Sequence, residues 1–308
     1  MSYNCTVESY PMIGTARILY GCSCLLLILC SLLLQAIFAM VCQRMKGWKS
    51  NFAFFLLQLM AFFSILSYVG LFVSYVHGIM LFESTSLSRI TGSNYQGSFF
   101  SYVITNTCLT IHRLFYTILP IKAQFILTER VLKICVLSIF SFYISYLAFT
   151  LTPLASVVYC PANFFFYFEA RRFYPLLSMM NQVSNFLVGV VNVSAYCVMF
   201  GTLFLKGSLT FKRNDEIRMT VQAALVSFCE LLFFLYWEYG PTTGLPEFWR
   251  RALDGYSMLI YFDVLILPYV ILNKSVKTEM KDIFLKNKST STVKVSSVHL
   301  KAFHRRSI

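Results

Sequence analysis

The stretch TIHRLFYTILPIKAQFILTER, from Thr110 to Arg130, ends an apolar run with a His-Arg pair, continues apolar to a proline, and only then becomes openly charged. Arg113 lies inside the end of the run, and Pro120 lies seven residues after it. The role of Arg113 depends on which side of a boundary between apolar and aqueous surroundings it lies.

The composition of the chain indicates that this boundary is a membrane surface. Of the 308 residues, 57% are hydrophobic and 13% are charged, whereas an average soluble domain has roughly 25% charged residues. A soluble fold would have to expose many of the 31 Phe and 19 Tyr side chains as apolar patches. The composition favours an integral membrane protein whose main partner is the lipid bilayer.

The apolar residues form seven long runs. A helix needs roughly 20 mostly apolar residues to cross a bilayer core, and continuous rather than alternating runs predict helices instead of strands. Seven stretches have this length and are numbered spans one to seven: 18–42, 52–82, 95–119, 131–158, 175–205, 219–239 and 255–272. The sequence therefore predicts an all-α bundle of seven transmembrane helices at 18–272, after an extracellular segment at 1–17.

The positive charges orient this bundle. The N-terminal segment and the second, fourth and sixth connections contain six of the 26 Lys and Arg residues, and the other connections and the C-terminal tail contain the remaining 20. The six are Arg17, Arg89, Arg171, Arg172, Arg250 and Arg251. By the positive-inside rule, the N-terminus lies outside and the tail lies in the cytoplasm. Arg113 is then at the cytoplasmic end of span three.

Residues 273–308 are expected to form a short amphipathic cytoplasmic helix and a disordered basic tail. Val276, Met280, Ile283 and Phe284 recur at helical spacing between Lys and Asp residues, a pattern typical of a helix lying on a membrane surface. Nucleic acid is not an expected partner, because the basic residues are spread among loops and a tail rather than gathered on one folded face.

Two modifications are predicted on the extracellular side. Of the ten cysteines, only Cys5 and Cys160 fall clearly outside, and the sequence leaves open whether they form a disulfide. Asn4, in the motif Asn4-Cys5-Thr6, is the one glycosylation acceptor that this topology exposes. The chain has no zinc-type CxxC pair and no HExxH motif, so neither a metal nor a cofactor is expected.

The pattern around Arg113 resembles that of receptors coupled to G proteins. In that family the third helix ends with an Arg, and a Pro seven positions later opens the second intracellular loop, as Arg113 and Pro120 do. An Arg inside the membrane edge is costly unless it pairs or faces water, and a conformational switch can use that cost. The alternative is an Arg that only snorkels to lipid phosphate. We expect Glu216, or Asp215 beside it, at the cytoplasmic end of span six, to be the resting partner of Arg113.

Span seven carries a second pattern that resembles those of receptors. Pro268 lies about one turn from the cytoplasmic end and is followed by an aromatic residue, apolar residues, a Ser and a basic surface helix. Rhodopsin-like receptors have Asn or Asp immediately before this Pro, whereas this chain has Leu267. The pattern is similar to that of nematode serpentine chemoreceptors, in the superfamily of classes g, t, u, v, x and xa. The resemblance implies a receptor of the plasma membrane, with a sensory cilium as a narrower location, that binds an external small molecule and signals to a heterotrimeric G protein.

Polar residues inside the spans are candidates for the ligand site. Asn181 and Asn185 share one face of span five, where such amides either bond to neighbouring helices or line a pocket open to the outside. Glu230 and Asp263 lie near mid-depth, where they could contact a ligand cation, share a proton, or form a buried hydrogen-bonded pair. The candidate contacts are Tyr102, Asn106, Asn181, Asn185, Glu230, Tyr236 and Asp263.

Two other classes of function compete with a receptor. A channel or transporter would use the same mid-depth acids, but the sequence has no matching pair of broken helices. An intramembrane protease would also pair two acids, but the glycine-flanked Asp motif of such enzymes is absent. We therefore expect a non-enzymatic receptor and keep a channel or transporter as the alternative.

Overall fold

The computed structural model describes residues 14–44, 52–81, 84–205, 214–240 and 244–289. Within these residues each of the seven predicted spans contains one long helix. In chain order they are Gly14–Arg44, Phe52–Met80, Thr85–Ile118, Glu129–Thr150, Tyr174–Leu205, Asn214–Tyr239 and Glu247–Leu272. Successive spans one to three and five to seven contact each other, span four packs on span three, and span one meets span seven, so the helices close into a bundle.

In the part of the chain that the structure describes, five helices are long and apolar enough to cross a membrane by length and composition: spans one, two, four, five and seven. Span three is more polar because it runs through the middle of the bundle, in contact with spans two, four and five. Its Ser98, Ser101 and Thr105 are fully buried between other helices. Span four lies at the edge of the bundle and leaves apolar side chains such as Leu137 exposed toward lipid. The contrast between spans three and four therefore reflects what surrounds each helix, protein or lipid.

Two helices begin well before their apolar runs. Span three starts at Thr85, where the side chain of Ser84 accepts a hydrogen bond from the backbone N–H of Leu87 over 3.4 Å and caps the helix. Span seven starts at Glu247, immediately after Pro246. The first turns of both helices include polar or charged residues, so an apolar run alone does not reveal them.

The predicted end of span four is wrong. The helix stops at Thr150, and Pro153 follows, which disfavours helical backbone in the residue before it. The chain then forms an antiparallel hairpin of strands β1, Val157–Cys160, and β2, Phe165–Phe168. Their aromatic and β-branched residues suit a strand. The run looked like one span because β1 is buried against span three.

Lys274–Ser289 forms the predicted surface helix. Val276 is buried and packs with Val41 of span one, and Met280 and Ile283 join the same small cluster. Part of the apolar face of this helix is therefore covered by the cytoplasmic end of the bundle rather than by lipid.

Candidate functional site

A cavity of about 470 Å³ opens at the end of the bundle that the charge pattern places outside the cell. Spans two, three, five, six and seven surround it, and the hairpin forms its outer wall. Most of the lining is aromatic, with rings from Tyr75, Tyr95, Phe99 and Trp237 and from the hairpin. A volume of this size is typical of a small-molecule site.

Three of the predicted ligand contacts line this cavity: Asn181, Asn185 and Tyr236. Asn181 accepts a hydrogen bond from the amide of Gln96 over 3.2 Å. Asn185 donates to the carboxylate of Glu238 over 2.8 Å. These bonds orient both amides between helices, and the contact of the three residues with a ligand stays a prediction.

Asp254 and Arg251, in the first turns of span seven, were not among the predicted site residues, yet both line the cavity. Asp254 accepts a hydrogen bond from the hydroxyl of Tyr236 over 2.8 Å. Arg251 lies 3.6 Å from the carboxylate of Glu247 and 4.5 Å above the ring of Phe165. The i, i+4 and i, i+7 spacing of these charged residues is a helical signal that could have extended span seven to include them.

The hairpin is anchored to the bundle by Arg17. This buried side chain donates hydrogen bonds to the carbonyls of Ala162, over 2.7 Å, and Pro161, over 2.5 Å, and to the carbonyl of Gly78 in span two. It also lies 4.6 Å above the ring of Phe164. Phe164 has a positive φ of 54°, which is unusual for a bulky residue and turns its ring inward.

Inside the hairpin, Tyr159 is held as a neutral phenol. Burial raises the pKa of Tyr159 well above its ordinary value. Its ring lies 5.0 Å from that of Phe166, which stacks on Tyr95 at 4.5 Å. The hairpin thus joins the cavity wall through aromatic contacts that require no charge.

Tyr102, Asn106 and Glu230 lie below the cavity and do not line it. Tyr102 is fully buried against the ring of Phe262, 4.9 Å away. One carboxylate oxygen of Glu230 accepts hydrogen bonds from the amide of Asn106 and, over 3.0 Å, from that of Asn192. Glu230 therefore joins spans three, five and six. In this structure it is a buried, hydrogen-bonded group.

Asp263 is also outside the cavity and does not pair with Glu230. Its carboxylate accepts hydrogen bonds from Ser31 and, over 2.9 Å, from the amide of Gln35. Both partners belong to span one. Asp263 thus links spans one and seven, and its contact with a ligand stays a prediction.

Arg113 is held at the opposite end of the bundle. Its guanidinium donates hydrogen bonds to the hydroxyl of Tyr269 and, over 3.4 Å, to that of Tyr196. Its Cζ lies 5.1 Å from the centre of the Tyr269 ring. The three side chains tie span three to spans five and seven, and we refer to them as the tyrosine clamp.

The other predicted switch residues have different surroundings. Pro268 lies inside span seven immediately before Tyr269, and Pro120 begins the short helix Pro120–Ile126 of the second intracellular loop. The side chains of Asp215 and Glu216 lie outside the described part of the structure, so their pairing with Arg113 stays a prediction.

Cys160 is disulfide-bonded. Cys5 and Asn4 lie outside the described residues, so the Cys5 to Cys160 pairing and the glycosylation of Asn4 also stay predictions. Among the residues that the structure describes, no group of three or more His, Cys, Asp and Glu side chains is arranged to hold a metal ion.

The comparisons with known proteins show the fold. No family model and no curated protein matches the chain. A crystal structure of squid rhodopsin superposes with a TM-score of 0.68 at 11% sequence identity, and the match covers 96% of this chain and 94% of that one. The chain is therefore a multi-pass membrane protein with the rhodopsin-like seven-helix fold.

Proposed function

We propose that this protein is a G-protein-coupled receptor that converts the binding of an external small molecule into a rearrangement at its cytoplasmic end. The observation that carries the proposal is the placement of two features at opposite ends of one bundle. An aromatic cavity opens at the outer end, and the tyrosine clamp holds a half-buried arginine near the inner end.

Aromatic rings connect the floor of the cavity to the middle of the bundle. Trp237 of span six lines the cavity and lies 5.0 Å from the ring of Tyr261 in span seven. Tyr261 in turn lies 5.8 Å from Tyr102 in span three. Close-packed rings of this kind shift together rather than independently, so a ligand that moves Trp237 also acts on spans three and seven.

Two polar links resist such a shift. Glu230 holds span six to spans three and five through its two amide partners. The tyrosine clamp holds Arg113 to spans five and seven. A ligand that binds more tightly to the arrangement in which these hydrogen bonds are broken shifts the population toward a signalling state. Release of Arg113 then presents a cation at the cytoplasmic face, where a G protein binds.

The finer assignment, a chemoreceptor of the nematode serpentine type in the plasma membrane or a sensory cilium, is part of the proposal. It is supported by the spacing of Arg113 and Pro120 and by Leu267 in place of a polar residue before Pro268. No catalytic step is required by any of these features.

The decisive experiment measures nucleotide exchange on a panel of purified heterotrimeric G proteins. The receptor is present in lipid nanodiscs, and small molecules are screened for an effect on the exchange rate. We expect a ligand that accelerates exchange, with acceleration lost in Arg113→Ala. Arg130→Ala, which removes an exposed cation at the same end of the bundle, serves as the control. Substrate-dependent flux through the receptor in liposomes, with no effect on any G protein, would favour a channel or transporter instead.

A further inference from the structure

The charges in the extracellular cavity are not equivalent. Two charged side chains line it, Arg251 and Asp254. Arg251 already faces an anion, since Glu247 lies 3.6 Å away, and its guanidinium covers the ring of Phe165 at 4.5 Å. Glu247 also lies 3.8 Å from Arg250, so it balances part of the positive charge of Arg251.

Asp254 is in a different situation. Its side chain accepts one hydrogen bond, from the neutral hydroxyl of Tyr236 over 2.8 Å. Among the described residues it has no salt bridge with Lys or Arg. For a carboxylate that is partly removed from water, one hydrogen bond from a neutral hydroxyl replaces only part of the lost solvation. The cavity thus contains, at Asp254, a negative charge without a salt bridge among the described residues.

The rings around Asp254 suit the same sign of ligand. Tyr75, Tyr95, Phe99 and Trp237 present their side chains to the cavity. The faces of aromatic rings carry partial negative charge and attract ammonium groups within about 6 Å. A carboxylate combined with several rings is a recognition set for organic cations.

On this basis we propose that the cavity binds an organic cation, an amine or quaternary ammonium with an apolar body, with its charged group at Asp254 and its apolar part among the rings. This inference rests on the proposed function for its consequence in signalling, because the cavity is the ligand site of that proposal. Its direct content, the preference of the cavity for positive charge, concerns binding alone.

Matched probes test this preference without a G protein. We suggest butyrylcholine and phenyltrimethylammonium as cations, their neutral carbon isosteres, in which carbon replaces the quaternary nitrogen, and butyrate and benzoate as anions. Binding is measured by thermal stabilisation of the purified receptor in nanodiscs. The two cations should bind at least tenfold more tightly than their neutral isosteres, and the anions should not bind.

Three variants assign the preference to Asp254. Asp254→Asn keeps the shape of the side chain and should lower cation affinity tenfold or more, with little effect on the neutral isosteres. Glu169→Gln removes another extracellular acid, one that pairs with Arg171 at 3.0 Å, and should leave cation affinity unchanged. Arg251→Gln should leave it unchanged or raise it.

The outcomes separate the two proposals. Equal binding of cations and neutral isosteres, anion binding that requires Arg251, or no binding of any cation would overturn the inference. An Arg113→Ala receptor should still bind the cations at least as tightly as the wild type, because the change removes a link that opposes the ligand-bound arrangement and leaves the cavity lining intact. Selective binding of cations without any G-protein response would keep this inference and contradict the proposed function.

Discussion

The guanidinium of Arg113 in span three donates a hydrogen bond to the hydroxyl of Tyr269 in span seven, one residue after Pro268. The proline removes one backbone N–H from the helix next to the residue that holds the arginine. The bond therefore joins the cytoplasmic end of span three to the part of span seven where the proline weakens the helical backbone.

Replacing Tyr269 with Phe should raise basal nucleotide exchange. The variant keeps the ring under Arg113 and removes only the hydroxyl, so Arg113 retains the longer bond to Tyr196. A hydrogen bond of this kind contributes about 0.6 to 2 kcal/mol, which corresponds to a roughly 3- to 30-fold shift in the resting equilibrium.

The matched control for this change is Tyr146→Phe. Tyr146 lies in span four, and its buried hydroxyl has no hydrogen-bond partner among the described residues. Both variants should reach the membrane in wild-type amounts. If basal exchange is the same in both, the bond between Arg113 and Tyr269 does not restrain the receptor.

Replacing Glu230 with Leu should destabilise the bundle, whereas Glu230→Gln should not. Leucine leaves the amides of Asn106 and Asn192 without their shared acceptor, while glutamine keeps an oxygen in that place. The expected loss is about 1–2 kcal/mol for Leu relative to Gln, measured by thermal denaturation in detergent. Equal melting temperatures would show that the two amides find other partners and that Glu230 does not hold span six.

Replacing Gly189 with Ala should strain the contact between spans five and six. Gly189 lies in a π-helical turn at Leu187–Val191, and a Cβ atom on it would be 2.1 Å from the ring of Phe234. Overpacking of this kind costs about 1–3 kcal/mol. Gly201→Ala is the control in the same span, since a Cβ there meets no atom within 4 Å.

A double variant separates strain from a simple loss of helix flexibility. Phe234→Ala removes the ring that the new methyl group would meet, so Gly189→Ala should cost little in that background. If Gly189→Ala lowers the melting temperature equally with and without Phe234, then the close approach of the two helices is not its cause.

The seven spans could be predicted from sequence because lipid contact imposes a simple rule on composition. The rule fails where burial has another source. Val157 and Val158 are apolar because the hairpin packs against span three, and hydropathy cannot distinguish protein from lipid as the apolar neighbour. Span three is the opposite case, since a helix surrounded by protein tolerates residues such as Ser98 and Thr105.

The candidate site was only partly predictable for a related reason. The face of span five that carries Asn181 and Asn185 follows from helical periodicity, and both residues line the cavity. Asp254 was not predicted because it lies beyond the apolar part of its helix. Glu230 was predicted because it is an acid at mid-depth. Its amide partners on spans three and five depend on tertiary packing, which one sequence does not specify.

Replacing Arg17 with Ala should loosen the hairpin over the cavity. Arg17 binds the carbonyls of Pro161 and Ala162 in the hairpin turn and that of Gly78 in span two, and each bond to a charged donor contributes about 1.5–3 kcal/mol in a buried site. Hydrogen exchange of the amides at 157–168 should accelerate at least tenfold, and Arg17→Lys should give a smaller effect because a single ammonium reaches fewer carbonyls. Arg171→Ala, which breaks only an exposed pair with Glu169, should leave the exchange unchanged, since such pairs contribute about 0–1 kcal/mol. Equal acceleration in the Arg17 and Arg171 variants would mean that the hairpin is held by its aromatic contacts and not by the buried guanidinium.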